Sequence, residues 1–385
     1  MASRDRTRLL DVTRLWRRAG SGPLTGIDRV ERAYLREFLA RPEPVFGIVT
    51  KGMRHWILSR AGLEPFAHSL ELGSVAALCP KLVGPGILTL GLAAAVGRTA
   101  GPAVTYYNVG HIGASAGKLR AIAQSRARRV VCMVHDTIPL DFPQFSGPGA
   151  GSRFRSQLEA MSRHATLLVC NSDATGRALS RHIPASRLPP TVVAHLGVEL
   201  AEARPSELPP GLPPAPPYFV AVGTIEPRKN LGLLLDVWDR IAEAGPETSL
   251  VIAGRPGWAS PDLFSRIRAA RNRAAPVIHV PDLSDGALRA LLGGARALLM
   301  PSLAEGYGLP VAEAAATGTT VVAADLPVYR EIVGDYPIYL DSGDRYAWHQ
   351  TITRLVELGG AEIQAKRISV PDWDGHFKTV LSHER

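Results

Sequence analysis

The sequence predicts an α/β protein built from two doubly wound domains, and three observations lead there. At 385 residues the chain is longer than one hydrophobic core usually serves. Short, continuously apolar, β-branched runs alternate with helical segments in both halves, the pattern of parallel sheets covered on both faces. One composition break, "RPSELPPGLPPAPPY" at Arg204 to Tyr218, divides the chain near its middle. Proline fixes φ and cannot donate to a sheet ladder, so this stretch reads as an extended linker. The expected division is therefore 1–203, a linker at 204–217, and 218–370.

In the first half "EPVFGIVT", "AVTYYNVG", "RRVVCMVHD", "ATLLVCNSD" and "TVVAHLGV" read as strands. Among the helices, "GIDRVERAYLREFLA" is the clearest, with Ile27, Val30, Tyr34 and Phe38 at helical spacing. In the second half the strands are "YFVAVGT", "SLVIAG", "VIHVP", "RALLMPS" and "TTVVAAD". They alternate with helices such as "NLGLLLDVWDRIAEA" and "DGALRALLGGA". The final segment, "VPDWDGHFKTVLSHER", reads as a short amphipathic helix. Ligands of doubly wound sheets bind at the C-terminal ends of strands, here expected in the cleft between the domains.

A hydrophobic content of 46% with 21% charged residues excludes a disordered chain. The most apolar stretch, Leu82 to Gly97, is broken by Pro85 and glycines and is too short to span a bilayer. The N-terminus lacks the apolar region of a signal peptide. Cys79, Cys132 and Cys170 show no metal-binding or redox spacing, and the last two sit in apolar runs as buried thiols. A cytoplasmic location is expected. The net charge of +9 is unevenly spread: residues 1–200 hold 26 Lys and Arg against 13 Asp and Glu, whereas residues 201–385 hold 18 against 22. A basic half suggests an anionic partner, whether a membrane surface, a phosphorylated acceptor or nucleic acid.

Two loops carry the candidate chemistry. "PSLAEGYGLPVAEAAATG" follows a strand, passes Gly306 and Gly308, and enters a helix with Pro310 in its first turn and Gly318 at its end. A glycine loop feeding a helix N-terminus is an anion site. Glu305 precedes this helix, and Glu313 is expected in about its first turn. Carboxylates beside bound phosphate are repelled unless they hold hydroxyls, so sugar and ribose are the fitting partners. "VAVGTIEPRKN" is likewise strand, loop and helix start, and it places Arg228 and Lys229 where cations oppose the helix dipole. If both strands are parallel, the two loops open at one sheet edge. Two cations, a dipole and two carboxylates then fit a nucleoside diphosphate sugar.

"GTIEPRKNLGLLL", "LVIAG", "VPDLSDGALRALLGGARALLMPS" and "EGYGLPVAEAAATGTTVVAAD" resemble the retaining family 4 (group 1) glycosyltransferases of GT-B fold, which have two Rossmann-like domains facing a central cleft. The resemblance is strong over about residues 218–345. "GPLTGIDRVERAYLREF", "VVCMVHDTIPLDFPQF", "VCNSDATGRAL" and "VVAHLGVE" extend it into the first half, and the second of these is similar to bacterial mannosyltransferase-type members.

The resemblance implies that Arg228 and Lys229 bind the diphosphate and stabilise the leaving group. It implies that Glu305 meets the sugar and Glu313 the ribose, while the backbone of Gly306, Tyr307, Gly308 and Leu309 contacts sugar and phosphate. Thr224 stands in the donor loop where several members have arginine. Asp282 and Leu283 flank the base, in a turn that lacks the usual glycine. His135 positions donor or acceptor or serves as a base, with a purely structural role as the alternative. Gly26 and Arg29 on the helix facing the cleft, with Asp136, form the acceptor side. The resemblance also implies that the helix at 371–385 packs back on the first domain.

The implied reaction is retaining transfer of a hexose, mannose first, from a nucleoside diphosphate sugar such as GDP-mannose to a glycan acceptor. A lipid-linked acceptor in bacterial surface polysaccharide assembly is expected, with peripheral contact to an anionic membrane. Arg4, Arg6, Arg8, Arg14, Arg17 and Arg18, with "RARRV" at 126–130, are the expected membrane cations. No cofactor and no catalytic metal are expected, because the chain's Asp-x-Asp, "DWD" at Asp372 to Asp374, reads as a helix start. Two rivals stay open: a sugar-nucleotide epimerase of related fold, and a nucleic-acid-binding protein. The second lacks any helix-turn-helix, zinc or stacking signature.

Overall fold

The computed structural model describes residues 6–71, 81–101, 103–125, 127–244, 247–358 and 366–384. It divides into two compact units, one of Met1–Leu196 with Trp373–Arg385 and one of Gly197–Asp372.

The first unit is built on an eight-stranded sheet. Its strands are β1 (Thr7–Asp11), β2 (Val45–Lys51), β3 (Arg54–Leu58), β4 (Ile87–Leu88), β5 (Val104–Asn108), β6 (Ala127–Val134), β7 (Leu167–Cys170) and β8 (Thr191–Val193). Their order is β4-β3-β2-β1-β5-β6-β7-β8. All pairings are parallel except those of β3 with β2 and β4, which form an antiparallel edge. The central strand β1 escaped the sequence reading because "TRLLD" carries an arginine. Arg8 is buried there, its guanidinium bonded to Glu384 Oε1 at 3.0 Å and Oε2 at 2.9 Å and to Glu43 at 3.2 Å. Ion pairing offsets the desolvation that would otherwise keep a charge out of a central strand.

The helix Gly26–Ala40 has the expected bounds. Thr25 caps it, with the Asp28 carboxylate returning a bond to the Thr25 amide at 2.8 Å. Val30, Tyr34 and Phe38 are buried as their spacing requires. The C-terminal helix Trp373–Ser382 belongs to this unit. Its His376 meets the Tyr34 hydroxyl at 2.8 Å, and Phe377 packs edge-on to the Tyr34 ring. Cys132 and Cys170 are free and buried, and burial pushes both thiols up to about 12. Cys79 lies outside the described residues.

The second unit is a six-stranded parallel sheet. Its strands are β9 (Tyr218–Val222), β10 (Ser249–Ala253), β11 (Val277–Val280), β12 (Ala297–Met300), β13 (Val321–Ala324) and β14 (Ile338–Leu340). The order is β11-β10-β9-β12-β13-β14. The helix Leu231–Ala244 sinks Trp238 against Phe219, and the helix Arg345–Glu357 adds the buried Trp348 to the same core. The proline-rich stretch expected to be a linker is instead part of this unit. The Arg204 amide donates to Gly286 O at 3.0 Å, and Ser284 donates to the Glu207 carboxylate. Proline stiffness here serves to lay a strap along the helix Asp285–Gly294 rather than to space two bodies apart.

Candidate active site

Strand β9 is flanked by β10 on one side and by β12 on the other, so the chain reverses direction across the sheet there. At such a switch point the loops leaving adjacent strands diverge and open a crevice. The loop after β9 carries Arg228 and Lys229, and the loop after β12 carries Glu305. The structure joins them. Lys229 Nζ donates to Glu305 Oε1 at 2.6 Å, and Arg228 Nη1 donates to Glu305 Oε2 at 2.6 Å and to Ala304 O at 3.1 Å. Arg228 Nε is also paired with Glu226. The backbone reinforces this, with the Leu303 amide on Arg228 O at 2.7 Å.

Local sequence explains the placement. Pro227 opens a tight 3-10 turn, Pro227–Lys229, and Asn230 ends it in the left-handed region at φ 52°. Asparagine tolerates that conformation, and its amide is held by Pro301 O at 3.2 Å and Ser342 O at 2.9 Å. Gly223 is required for a different reason. A Cβ there would lie 2.7 Å from Lys229 Cε, so any larger residue would push the lysine off its partner.

The electrostatics are strongly coupled. Burial alone would raise the Glu305 carboxyl. The charges of Arg228 and Lys229 prevail, with the hydrogen bond from Lys229, and bring it down to about 2. Burial lowers the Lys229 ammonium, against the pull of Glu305. Burial also raises Glu226, a tendency that Arg228 and Lys229 partly counter. Sequence reasoning missed Glu226, although it lies within the quoted loop. Its proximity to Arg228 depends on the turn.

The helix after Glu305 runs Leu309–Thr317, with Gly308 as its left-handed cap at φ 97°. A Cβ on Gly308 would meet the Tyr329 ring at 2.4 Å, which explains the glycine at this cap. Two expectations change here. Glu313 is the fifth residue of the helix and lies in its second turn. The terminus also does not present a fan of open amides: Pro310 has none, and Val311 and Ala312 donate to Gly308 O at 3.0 and 3.2 Å. The amide of Leu309 at most remains, together with the dipole. The Tyr307 side chain is buried.

Of the other sequence-selected residues, Thr224 stands in the same loop after β9, and Asp282 and Leu283 stand in the loop after β11. Thr224 precedes the isolated bridge of Ile225 with Pro256. Asp282 is exposed and ion-paired with Arg255 at 2.6 Å, and Leu283 follows it, next to the N-cap residue Ser284 of the helix Asp285–Gly294.

In the first unit His135 ends β6 and is buried. Its Nε2 lies 2.7 Å from Val109 O, so Nε2 carries the proton and donates it. Burial, aided by His111, lowers the ring to about 3 and keeps it neutral. Asn171 and Thr175 both donate to the His135 carbonyl, at 2.9 and 3.2 Å. Gly26 opens its helix beside the Thr25 cap, and Arg29 lies one turn further in. Asp136 accepts the Ile138 amide at 3.0 Å and starts the short helix Ile138–Asp141.

A polar cluster that the sequence reading did not anticipate sits at this sheet's own switch point, between β1 and β5. Asp11 Oδ2 receives Lys118 Nζ at 2.5 Å, Tyr106 OH at 2.7 Å and Asn108 Nδ2 at 2.9 Å, all buried. Nearby Glu31 accepts the Leu15 amide at 2.8 Å. Burial, with Asp11 close by, raises its carboxyl well above the usual range. Among the described residues no group of three or more His, Cys, Asp or Glu could hold a metal ion.

Comparison with known proteins adds to this geometry. The family described as "Glycosyl transferases group 1" matches residues 207–369. The chain is 30% identical over 224 residues to the serotype-specific mannosyltransferase WbdA of Escherichia coli, covering 54% of this chain and 27% of that protein. It is 28% identical over 147 residues to the O-antigen chain mannosyltransferase RfbU of Salmonella typhimurium, covering 37% and 40%. The chain therefore spans less than half the length of these two curated relatives. Among solved structures, Anabaena Alr3699/HepE in complex with UDP and glucose superposes with a TM-score of 0.63 at 19% identity, over 98% of this chain and 95% of that one. At that identity the likeness speaks to the fold. The likeness to group 1 glycosyltransferases thus covers residues 207–369, on a chain of GT-B fold.

Proposed function

We propose that the protein transfers a hexose, mannose in the first instance, from a nucleoside diphosphate sugar to a glycan acceptor, with retention of configuration. The observation that carries this reading is the junction of Arg228, Lys229 and Glu305 at the switch point of a glycosyltransferase domain. GDP-mannose is the donor of choice because the relatives named above are mannosyltransferases. A lipid-linked acceptor in surface polysaccharide assembly, reached from the inner face of the cytoplasmic membrane, completes the proposal.

As the bond from the anomeric carbon to the diphosphate oxygen breaks, negative charge grows on the leaving phosphate. Arg228, Lys229 and the Leu309 terminus supply the positive charge that would stabilise it. Glu305 holds the two cations in register. A carboxylate has about four lone-pair sites, so it can accept from both cations and still accept a sugar hydroxyl. Glu313 serves the ribose, and Asp282 and Leu283 the base. The acceptor hydroxyl attacks from the face the phosphate leaves, and its proton passes to that phosphate. No covalent nucleophile is then needed. His135, neutral and tied to Val109, serves as a positioning group rather than a base.

The test is incubation with labelled nucleotide sugars, first alone and then with a polyprenyl-linked acceptor. Transfer from GDP-mannose that falls at least tenfold in Lys229→Ala supports the reading. Isomerised donor without transfer would favour an epimerase. Transfer unchanged in the Arg228→Ala, Lys229→Ala double variant would remove this loop from the site.

A further inference from the structure

Three of the expected membrane cations prove committed elsewhere. Arg8 is buried against Glu384 and Glu43, and Arg14 and Arg18 both pair with the buried Asp28, at 2.6 and 3.4 Å. Glu384 and Glu43 quench Arg8, and the single Asp28 carboxylate offsets one of the two charges of Arg14 and Arg18, which weakens what an anionic surface would feel. Arg4 and Arg126 lie outside the described residues.

A different surface of the first unit has the missing property. The antiparallel edge β2-β3-β4 ends in a tip where four large apolar side chains stand in solvent: Met53 at 74%, Val83 at 83%, Leu88 at 49% and Leu90 at 96% exposure. The register gathers them. Leu88 lies opposite Arg54, the Thr89 hydroxyl reaches Met53 O at 3.3 Å, and Trp56 Nε1 donates to Gly84 O at 3.3 Å. Lys51, Arg54 and Lys81 are exposed among them. The N-terminal Arg17 reaches Thr50 O, beside Lys51, at 3.4 Å. The charge pattern is one-sided. No Asp or Glu occurs between Glu43 and Glu64, nor in the long stretch between Glu71 and Asp136, which includes Lys81 and six further cations.

Exposed aliphatic side chains set among cations, on stretches of chain that carry no Asp or Glu, suit one environment, the interface of an anionic bilayer. There the apolar groups enter the acyl boundary while the ammonium and guanidinium groups meet lipid phosphate. We propose that the Met53–Val83–Leu88–Leu90 tip is the membrane-docking surface of this protein. The inference deepens the lipid-linked-acceptor reading by naming the contact. It is tested without donor or acceptor, so its failure and that of the transfer reaction are separable.

The experiment is co-sedimentation of the full chain with phosphatidylglycerol-containing and pure phosphatidylcholine vesicles, at low and high salt. Binding to the anionic vesicles that weakens with salt is expected. The Leu88→Asp, Leu90→Asp variant should lose at least tenfold in partitioning with its circular dichroism and Tm unchanged. Each cation neutralised among Lys51→Gln, Arg54→Gln and Lys81→Gln should cost about fivefold at low salt. Equal binding of wild type and the aspartate variant overturns the proposal, as does absence of vesicle binding. Self-association in sedimentation velocity that the aspartate variant abolishes, with no vesicle binding, would also overturn it and assign the tip to a second copy of the chain.

Discussion

Replacing Glu305 by glutamine keeps the shape of the side chain and removes its charge. In the folded protein the carboxyl lies near 2, against an ordinary 4.5, despite a side-chain exposure of only 8%. That difference corresponds to about 3 kcal/mol of preference for the ionised form in the folded state. Breaking one partner out of a buried ion pair costs a similar 3–5 kcal/mol. Glu305→Gln should therefore destabilise the second unit by about 3 kcal/mol at pH 7, or roughly 6–12 °C in Tm for a body of its size.

The sign with pH follows from linkage. A depressed carboxyl contributes stability that is complete above its unfolded value near 4.5 and is lost as pH falls toward 2. The gap between wild type and variant should close over that window. It should also narrow at high pH, because Lys229, which burial already biases toward neutrality, then sheds its proton instead of facing Arg228 as an unpaired cation. Urea unfolding of both proteins from pH 3 to pH 9 measures this. A variant within about 0.5 kcal/mol of wild type at pH 7, or a gap that stays constant through the acid window, would show that the pair contributes nothing and refute the reasoning.

Gly223→Ala should displace Lys229 and lower kcat/KM for GDP-mannose at least tenfold, since its Cβ would lie 2.7 Å from Lys229 Cε; unchanged kinetics would mean that the lysine's position is not needed. His135 is neutral across the physiological range, so kcat/KM should show no inflection between pH 5 and 8 that His135→Gln removes; such an inflection would restore it as a base. The Glu31 carboxyl is raised, so the stability tied to its proton is present at low pH and lost as pH climbs through its folded value. Glu31→Gln should accordingly raise Tm at pH 8 more than at pH 5, and a uniform drop would contradict its burial as a neutral acid. Lys118→Met strands the Asp11 carboxylate and should cost about 3–5 kcal/mol in the first unit, read as a fall in its melting temperature.

The periodicity of the sequence determined most of the scaffold. Ten of the strands and the helix Gly26–Ala40 follow from local apolar runs and a capping box, because those signals lie within a few residues of one another. The pair Arg228 and Lys229 stood out in the sequence because cations at a helix start oppose its dipole, and Glu305 because a carboxylate beside a phosphate-binding glycine loop is repelled unless it holds hydroxyls. Strand β1 was not legible, since a buried arginine makes sense only once Glu384, at the far end of the chain, closes on it. The proline-rich stretch read as a spacer because nothing local reveals that Gly286 and Ser284 will receive it. The N-terminal arginines read as a membrane patch, and only folding shows Asp28, Glu43 and Glu384 pairing with three of them. That Glu305 bridges both cations, and that its proton is held so weakly, was decided by the tertiary structure alone. The two loops are separated by about 75 residues of chain and meet only because β9 and β12 are neighbours in the sheet, a pairing between distant segments that no local pattern encodes.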